Sequence, residues 1–399
     1  MNKRLKVLFV SNLFPNPQDA ERGIFSLQLV KRLQEHCDIV VASPLPWFPN
    51  ISFLSFMKQY YAFSQIPYQY DTEGVTTYSP KYPLIPKASD ALHPLFMGLT
   101  LKKNIERLHA QYNFDLIHSR WLYPDSVAVD KIAKSLGLPH VATACGCDVN
   151  VHLFNPVEGP QIHNMLDKAE AITVVADDLK KKVLSKNIPE EKISTIVNGV
   201  DTSKFHLLDQ GKCREQLGVK PDIKSCVFVG RLSSEKSVTT LVTAIANLNK
   251  QGKPIKLFLV GDGDERGALE AQAQSLNMGT DQIEFVGRVE HSAVATWLGS
   301  ADIFCLPSLR EGCPNVVLEA LGSGTPIVAS RVGAVPDLLS EETGLMANPG
   351  DSDSLTEALS AAYDKEWDRP LIAESSKQFS WEASAEKYLA AYAKAIAAA

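Results

Sequence analysis

The chain has 399 residues, which is long for one hydrophobic core and comfortable for two, because single cores stop growing at roughly 250 to 300 residues. With 45% apolar and 22% charged residues, the composition is that of a globular protein. A net charge of −6 leaves no basic excess, so the composition argues against a nucleic-acid partner.

Targeting signals and cysteine pairs are also missing from the sequence. The apolar run near the N-terminus extends only from Val7 to Val10, which is too short for a signal peptide, and no stretch approaches the roughly 20 apolar residues that span a bilayer. The seven cysteines include no Cys-x-x-Cys pair, so neither a disulfide framework nor a zinc ribbon is indicated. We expect a cytoplasmic protein, with peripheral contact at the inner face of the membrane as an open alternative.

In the first half of the chain, β-branched or aromatic runs alternate with amphipathic stretches, which is typical of parallel strands joined by crossover helices. The predicted strands cover residues 6–10, 38–42, 115–118, 140–144, 171–175 and 193–197, and the predicted helices cover 25–35, 128–136 and 177–184. Residues 45–70 contain nine aromatic residues without a clean period. We interpret this segment as an insertion whose aromatics form a small core of their own, hold an acceptor or contact a lipid surface.

The alternation restarts after a stretch rich in Gly, Asp and Pro. Further strands are predicted at 226–229, 255–260, 283–286, 302–306 and 326–329. The predicted class is α/β, with two Rossmann-like doubly wound domains covering residues 1–200 and 201–379. Ligands of such sheets collect outside the carboxyl ends of the strands, so we expect the two domains to face each other across a cleft.

The sharpest motif runs from Glu311 to Glu319 and directly follows the strand predicted at 302–306. Pro314 suits the first turn of a helix, where its missing N–H costs nothing. The helix N-terminus would then present free backbone amides and a favourable dipole to a phosphate. Two carboxylates beside a phosphate need neutral hydroxyl donors, which a sugar and a ribose supply. The amides expected to be free are those of Asn315, Val316 and Val317.

A second motif places two cations on the loop after the strand predicted at 226–229. A fork-shaped guanidinium at Arg231 and a mobile ammonium at Lys236 can converge on a pyrophosphate and replace a metal, although both also fit as ordinary surface cations. Asp262-Gly263-Asp264 has the spacing of a metal-binding pair of aspartates. We interpret Asp262 instead as shaping a turn and Asp264 as capping the next helix or favouring its N-terminus, and we expect no metal and no cofactor.

Together, these motifs resemble the donor half of glycosyltransferase family 4, the retaining GT-B enzymes of bacterial polysaccharide type. The residues that carry the resemblance are Glu311 and Glu319, Gly-Arg-Leu at 230–232, and Lys236. The resemblance covers essentially the whole chain and is strongest from 226 to 340. It implies a metal-independent hexosyltransferase. This enzyme would move a sugar from a nucleotide diphosphate donor to a glycan, lipid-linked or small-molecule acceptor in cell-envelope or exopolysaccharide synthesis.

The resemblance also implies individual roles in the second half. Glu311 would face the transferred sugar, Glu319 would hold the ribose hydroxyls, and Arg231 and Lys236 would neutralise the departing diphosphate. The final helix, at 380–399, would pack on the N-terminal domain. The residues implied in donor binding are Gly23, Gly230, Arg288, Val289, Gly312, Cys313, Pro314, Asn315, Val316, Val317 and Glu319.

In the first half, the resemblance is carried by the ends of predicted strands. His118 is a candidate catalytic residue, or equally a packed histidine at a strand end. Asp148 and Cys145 lie on the loop that faces the acceptor in relatives. Relatives usually place His or Arg where this chain has Cys145, and a thiol cannot supply that positive charge.

Other activities remain open at this point. A sugar-nucleotide epimerase shares the two-domain plan, and fold does not fix chemistry. An NAD-dependent oxidoreductase shares the doubly wound pattern, but Gly261-Asp-Gly263 is not completed to the Gly-x-Gly-x-x-Gly fingerprint. A non-catalytic partner subunit that kept the nucleotide site is a third alternative, favoured only by Cys145.

Overall fold

The computed structural model describes residues 4–47, 58–84 and 90–399. It divides the chain into two compact units, one formed by Met1–Val197 with Trp381–Ala399 and the other by Asn198–Ser380. Each unit is built on its own largely parallel sheet. The predicted α/β class with two doubly wound domains is therefore confirmed.

The elements of the first 197 residues alternate between strands and helices. They are β1 (Lys6–Val10), α1 (Ile24–Leu33), β2 (Asp38–Ala42), β3 (Leu45–Trp47), α2 (Lys58–Ser64), β4 (Gln69–Thr72), β5 (Val75–Tyr78), β6 (Lys81–Pro83), α3 (His93–Tyr112), β7 (Leu116–Arg120), α4 (Val127–Ser135), β8 (His140–Ala144), α5 (Cys147–Asn150), α6 (Gly159–Lys168), β9 (Ala171–Val174), α7 (Asp177–Leu184) and β10 (Ile193–Thr195).

The remaining elements form the second unit and the C-terminal helix. They are α8 (Gln210–Leu217), β11 (Ser225–Val229), α9 (Val238–Lys250), β12 (Lys256–Val260), α10 (Arg266–Ser275), β13 (Ile283–Gly287), α11 (His291–Ser300), β14 (Ile303–Leu306), α12 (Asn315–Gly322), β15 (Ile327–Ser330), α13 (Val335–Leu338), β16 (Gly344–Ala347), α14 (Ser352–Asp364), α15 (Arg369–Ser375) and α16 (Trp381–Ala398). Within the described ranges, no helix is long and apolar enough to cross a membrane.

The sheet of the first unit has the order β10-β9-β8-β7-β1-β2-β5-β4, and β4 pairs antiparallel with β5. The central strand β1 is apolar on both faces, as a strand covered by helices on both sides must be. Val7 and Phe9 pack in one cluster with residues of α1 and α16, whereas Leu8 and Val10 pack in the other with residues of α3 and α4. Successive side chains thus build the two layers of the core.

The sheet of the second unit has the order β13-β12-β11-β14-β15-β16, and its pairs are parallel. The chain moves outward from β11 to β13 on one side and then crosses to β14 on the other. The strand order therefore reverses between β11 and β14. Ligands of doubly wound sheets bind in the crevice that this reversal opens at the carboxyl ends of the strands.

Several elements escape sequence prediction. The longest, α3, begins with His93-Pro94 and has glycine at 98, so its propensity for helix is weak in the first turns. Strand β16 is short and starts with glycine. The helix propensity of α3 and the strand propensity of β16 are both too weak to predict these elements. Packing against the neighbouring sheet stabilises them instead.

The aromatic insertion predicted at 45–70 contains a small core of its own. Leu45, Phe63 and Ile66 are buried together, and Tyr70 packs against them. Trp47 is exposed at the end of β3. Phe48, Phe53 and Phe56 lie outside the described residues.

The helix α16 is tied to the sheet of the first unit through a buried histidine. His118 on β7 is fully buried, with its Nδ1 2.7 Å from the Tyr392 hydroxyl and its Nε2 2.7 Å from Thr143 Oγ1. The Thr143 hydroxyl lies 2.6 Å from that of Thr173 on β9. This chain of hydrogen bonds joins α16, which is remote in sequence, to β7, β8 and β9.

We expect Tyr392→Phe to lower the free energy of unfolding of the first unit by about 1–3 kcal/mol, because a buried ring nitrogen of His118 loses its partner. Urea denaturation followed by circular dichroism measures this change. Tyr61→Phe, which removes an exposed hydroxyl, serves as the control and should change stability by less than about 0.5 kcal/mol. Equal stability of the two variants would contradict the role assigned to this hydrogen bond.

Candidate functional site

The loops that follow β11 and β14 meet at the reversal of strand order in the second unit. Lys236 Nζ lies 2.6 Å from Glu311 Oε1, and the Ser308 hydroxyl donates to the same oxygen at 2.6 Å. The Leu309 amide donates a hydrogen bond to the Glu235 carbonyl at 2.8 Å, which is a second contact between the two loops. The sequence-predicted Lys236 and Glu311 are therefore brought together, and Ser308 joins them without any sequence signal.

The backbone beside Glu311 is held from its other side by the loop after β15. The Ala334 amide donates to the Gly312 carbonyl at 2.8 Å. Gly333 has φ +55°, and a Cβ there would lie 2.5 Å from the Gly312 oxygen and 2.6 Å from the Glu311 oxygen. Only glycine allows this approach. The Gly312 carbonyl is thus fixed by the loop after β15, and the carboxylate of Glu311 is fixed by Lys236 and Ser308.

The helix α12 begins at Asn315, one residue later than predicted, with Pro314 as an extended N-cap. The Val317 amide donates to the Pro314 carbonyl at 3.0 Å, so the prediction that this amide is free for a ligand is wrong. A proline in the extended cap conformation aims its carbonyl into the first turn, which explains the bond. The amides of Asn315 and Val316 have no acceptor among the described residues.

Side chains around α12 orient the remaining polar groups. Asn198, in the segment that joins the units, donates through Nδ2 to Asn315 Oδ1 at 2.9 Å. One turn further along α12, Glu319 Oε1 lies 3.1 Å from Nε2 of His291, which begins α11. The ring of His291 stands edge-on to that of Phe205, at 5.4 Å between centroids. His291 has no sequence signal, because nothing in its local pattern links α11 to α12.

Arg231 lies on the same edge but is far more exposed than Lys236. Its guanidinium contacts Asp264 at 3.0 Å, and both side chains are mostly in solvent. Asp264 does not cap α10, because that helix begins two residues later, at Arg266, after Glu265. Asp262 accepts a hydrogen bond from the Gly263 amide at 2.9 Å, as its predicted turn role requires. The Gly230 amide donates a hydrogen bond to the Val260 carbonyl at 3.0 Å, which aligns the loops after β11 and β12.

The remaining predicted residues of this unit follow β13, at the same edge of the sheet. Arg288 is exposed, and Val289 packs against a buried cluster that includes Phe258 and Trp297. The Gly261 amide donates to the Gly287 carbonyl at 2.8 Å and joins the ends of β12 and β13. The carboxyl edge of this sheet thus carries the cations, the carboxylates and the amides that were predicted from separate motifs. No group of three or more potential metal ligands is found in the described part of the chain.

In the first unit, two of the predicted site residues, Gly23 and His118, stabilise the fold. Gly23 caps α1 with φ +63°, and a Cβ there would lie 2.2 Å from the Leu13 carbonyl oxygen, so the chain itself requires glycine. His118 has both ring nitrogens within hydrogen-bond distance of hydroxyls, and burial holds its pKa well below the usual range. A neutral, fully enclosed imidazole offers no atom to a substrate, so the packed alternative fits His118 and the catalytic one does not.

The loop after β8 is organised by the third predicted residue. Asp148 is fully buried, and its carboxylate accepts hydrogen bonds from the amides of Leu122, Cys145, Gly146 and Val149. We predicted that Asp148 contacts the acceptor. In the structure backbone amides donate to both of its carboxylate oxygens, so Asp148 holds the shape of the loop instead. Burial raises the pKa of the Cys145 thiol to about 12, so this position is uncharged.

The chain resembles known proteins both in sequence and in fold. The family model "Glycosyltransferase Family 4" matches residues 61–204, and the model "Glycosyl transferases group 1" matches residues 223–365. The teichuronic acid biosynthesis glycosyltransferase TuaC of Bacillus subtilis is 27% identical over 377 residues, which covers 93% of this chain and 92% of TuaC.

Two solved structures illustrate the likeness of fold. Sucrose-phosphate synthase from Thermosynechococcus elongatus has a TM-score of 0.76 at 22% identity and covers 99% of this chain and 100% of that one. The Anabaena protein Alr3699/HepE in complex with UDP-glucose has a TM-score of 0.70 at 18% identity, with 97% and 100% covered. Glycosyltransferase models match in both units, and a glycosyltransferase relative matches over nearly the whole length. The protein is therefore a glycosyltransferase, and its two-unit fold is that of the GT-B enzymes.

Proposed function

We propose that this enzyme transfers a sugar from a nucleoside diphosphate donor to a hydroxyl acceptor with retention of the anomeric configuration. The observation that carries the proposal is the meeting of Lys236 and Glu311 at 2.6 Å beside the start of α12. This edge offers an ammonium, a carboxylate and the amides of Asn315 and Val316 within one strand-end crevice. Such a combination suits a charged diphosphate next to a hydroxyl-rich sugar.

The chemistry follows from the charge that develops as the donor breaks. The bond from the anomeric carbon to the diphosphate oxygen breaks, the bond to the acceptor oxygen forms, and the acceptor proton passes to the departing phosphate. Negative charge grows on the diphosphate, where Lys236, Arg231 and the dipole of α12 stabilise it. Glu311 Oε1 is occupied by Lys236 and Ser308, so we assign it to orienting the sugar rather than to nucleophilic attack.

Glu319 suits the ribose of the donor. Its carboxylate is one turn inside α12, and His291 fixes one of its oxygens. The other oxygen is available to accept hydrogen bonds from neighbouring hydroxyls. The backbone of Arg288 and Val289, which follows β13 on the same edge, suits the base. The complex of Alr3699/HepE with UDP-glucose supports a nucleoside diphosphate sugar as the donor class.

The acceptor is proposed from the relatives alone. TuaC is named for teichuronic acid biosynthesis, and it matches this chain over nearly its whole length. We therefore propose a glycan or lipid-linked acceptor in the synthesis of a cell-envelope polysaccharide.

We predict that one class of nucleoside diphosphate sugar raises the melting temperature of the protein, because a ligand that binds only the folded state stabilises it by mass action. A panel of UDP, GDP and ADP sugars in a thermal shift assay identifies the base. Glu319→Gln should weaken binding of that donor about tenfold or more, because it removes a charged acceptor of hydroxyl bonds. Glu357→Gln, on an exposed part of α14, is the matched control.

This panel also tests the reaction. Incubation of the stabilising donor with glycan acceptors should yield a product whose anomeric configuration, read by NMR, equals that of the donor. Consumption of donor without a glycosylated product would overturn the transferase proposal in favour of an epimerase or hydrolase. Inversion would overturn retention alone.

The exposed cation at the site is Arg231. Arg231→Ala should slow transfer by about 100-fold, because its guanidinium stabilises charge that appears only as the leaving group departs. Arg310→Ala is a close control, since Arg310 is similarly exposed and contacts Glu235 at 2.8 Å just as Arg231 contacts Asp264. Steady-state kinetics should place the loss mainly in kcat for Arg231→Ala and leave Arg310→Ala within about twofold of the wild type. Equal effects would remove Arg231 from the mechanism.

We also propose that transfer needs no divalent metal. Two side-chain cations and a helix N-terminus already provide the positive potential that a metal would supply as a Lewis acid. Asp264, the residue most suggestive of a metal ligand in the sequence, is paired with Arg231.

Transfer in excess EDTA and transfer by Asp264→Asn should therefore both proceed at close to the wild-type rate. Measured initial rates with and without added Mn²⁺ or Mg²⁺ provide the check. Activity that is lost in chelator and restored by either ion would contradict the metal-free mechanism.

A further inference from the structure

The carboxyl edge of the first sheet carries a histidine whose ring is fixed by two neighbours. His152 follows α5 on the segment after β8, and its Nδ1 lies 2.6 Å from Glu158 Oε2. The ring of Tyr123, on the loop after β7, stacks on the imidazole with 5.2 Å between centroids and 22° between planes. The carboxylate therefore sets the rotation of the imidazole, and the phenol ring sets its plane.

The backbone between His152 and Glu158 is closed into a tight turn. The Asn155 amide donates to the His152 carbonyl at 3.1 Å, and the Asn155 side chain accepts from the Glu158 amide at 3.2 Å. At Gly159 the chain passes so close to Leu153 that a Cβ would lie 2.5 Å from the Leu153 carbonyl oxygen. Backbone geometry, rather than two flexible side chains, thus keeps the imidazole and the carboxylate together.

The stacked ring is fastened to the same region. The Leu122 amide, next to Tyr123, donates to the Asp148 carboxylate at 2.9 Å, so the loop after β7 is joined to the loop after β8. The Glu158 side chain is only 11% exposed, and a buried carboxylate costs free energy unless it is hydrogen-bonded. The Nδ1–H of His152 supplies that hydrogen bond.

This arrangement leaves one ring nitrogen for a ligand. A carboxylate oxygen accepts, so it keeps the proton on Nδ1, and the lone pair of the neutral ring is then at Nε2. Nε2 of His152 has no hydrogen-bond partner in the part of the chain that the structure describes, and 31% of the side chain is exposed. His118 differs, because hydroxyls inside the fold lie against both of its ring nitrogens.

The surroundings of this nitrogen indicate the chemistry of the ligand. Ligands of doubly wound sheets collect at the carboxyl ends of the strands. Aromatic rings line this part of the edge, since His93 at the start of α3 stands edge-on to Tyr123, at 6.5 Å between centroids, and Tyr123 stacks on His152. Rings beside one hydrogen-bond acceptor suit a ligand that has both apolar C–H groups and hydroxyls. A sugar carries both.

We propose that His152 accepts a hydrogen bond from a hydroxyl of the sugar acceptor, with Glu158 as the positioning residue that keeps the proton on Nδ1. The inference rests on the proposed function, which assigns the donor to the second unit and leaves the acceptor as the ligand of the first. A site that accepts a bond from a hydroxyl disfavours a ligand without it, because the desolvated nitrogen then stays unpaired. His152 thereby contributes to the choice of acceptor.

Acceptor kinetics of the full-length enzyme provide the first test. The probes are the p-nitrophenyl glycosides of glucose, galactose, N-acetylglucosamine and glucuronic acid, used with the donor that stabilises the wild type. We expect His152→Ala to raise the KM for the acceptor about tenfold or more. The KM for the donor should stay within about twofold of the wild type, because the lost hydrogen bond is made to the acceptor alone.

Two substitutions of Glu158 separate positioning from structural support. Glu158→Gln keeps an oxygen that can accept the Nδ1–H, so the KM for the acceptor should stay within about threefold of the wild type. Glu158→Ala releases the ring, so this KM should approach that of His152→Ala. His163→Ala is the control and should change it by less than about twofold, since His163 is exposed on α6 and its Nε2 already lies 2.9 Å from the Lys186 carbonyl.

A second measurement does not require transfer. Diethyl pyrocarbonate reacts with an accessible, unprotonated imidazole nitrogen, and mass spectrometry of peptides identifies the modified histidine. We expect His152 to react faster than the buried His118 and His140. At least one of the four glycosides should slow the reaction at His152, because a bound hydroxyl occupies Nε2.

The outcomes distinguish this inference from the proposed function. An acceptor KM that His152→Ala leaves unchanged would overturn the inference, as would equal losses for donor and acceptor, which indicate a structural role. Damage by Glu158→Gln equal to that by Glu158→Ala would remove the positioning role. If the wild type transfers sugar to none of the glycosides, the proposed function fails. Modification then decides the role of His152: protection by a glycoside supports it, and no protection overturns it.

Discussion

The ion pair between Lys236 and Glu311 is the contact on which the site in the second unit depends. It bridges the loops after β11 and β14, the two strands between which the order of the sheet reverses. The carboxylate is mostly buried, and a buried carboxylate needs compensation, which the ammonium and the Ser308 hydroxyl provide. Because the pair fixes both loops, the ammonium of Lys236 and the amides at the start of α12 hold one geometry before a ligand arrives. Such a fixed arrangement of charges and dipoles is the basis of electrostatic preorganisation.

The two units use their strand-end polar residues in opposite ways. In the second unit, Arg231 and the amides of Asn315 and Val316 remain accessible at the edge of the sheet. In the first unit, His118 and Asp148 are enclosed, and their hydrogen bonds join α16 to the sheet and shape the loop after β8. This difference explains why the charge chemistry of the proposed reaction is concentrated in the second unit.

The sequence by itself determined the α/β class, the two sheets and the motifs that end their strands, because alternating runs of apolar residues and the Glu311 to Glu319 spacing are local signals. The sequence could not assign His118, whose role depends on a hydroxyl 274 positions away at Tyr392. The same holds for His291 beside Glu319 and for the Val317 amide, which an unforeseen cap bond occupies. The local sequence pattern predicts which residues form a helix or a strand. Only tertiary packing decides which polar groups form hydrogen bonds within the protein and which remain available to a ligand.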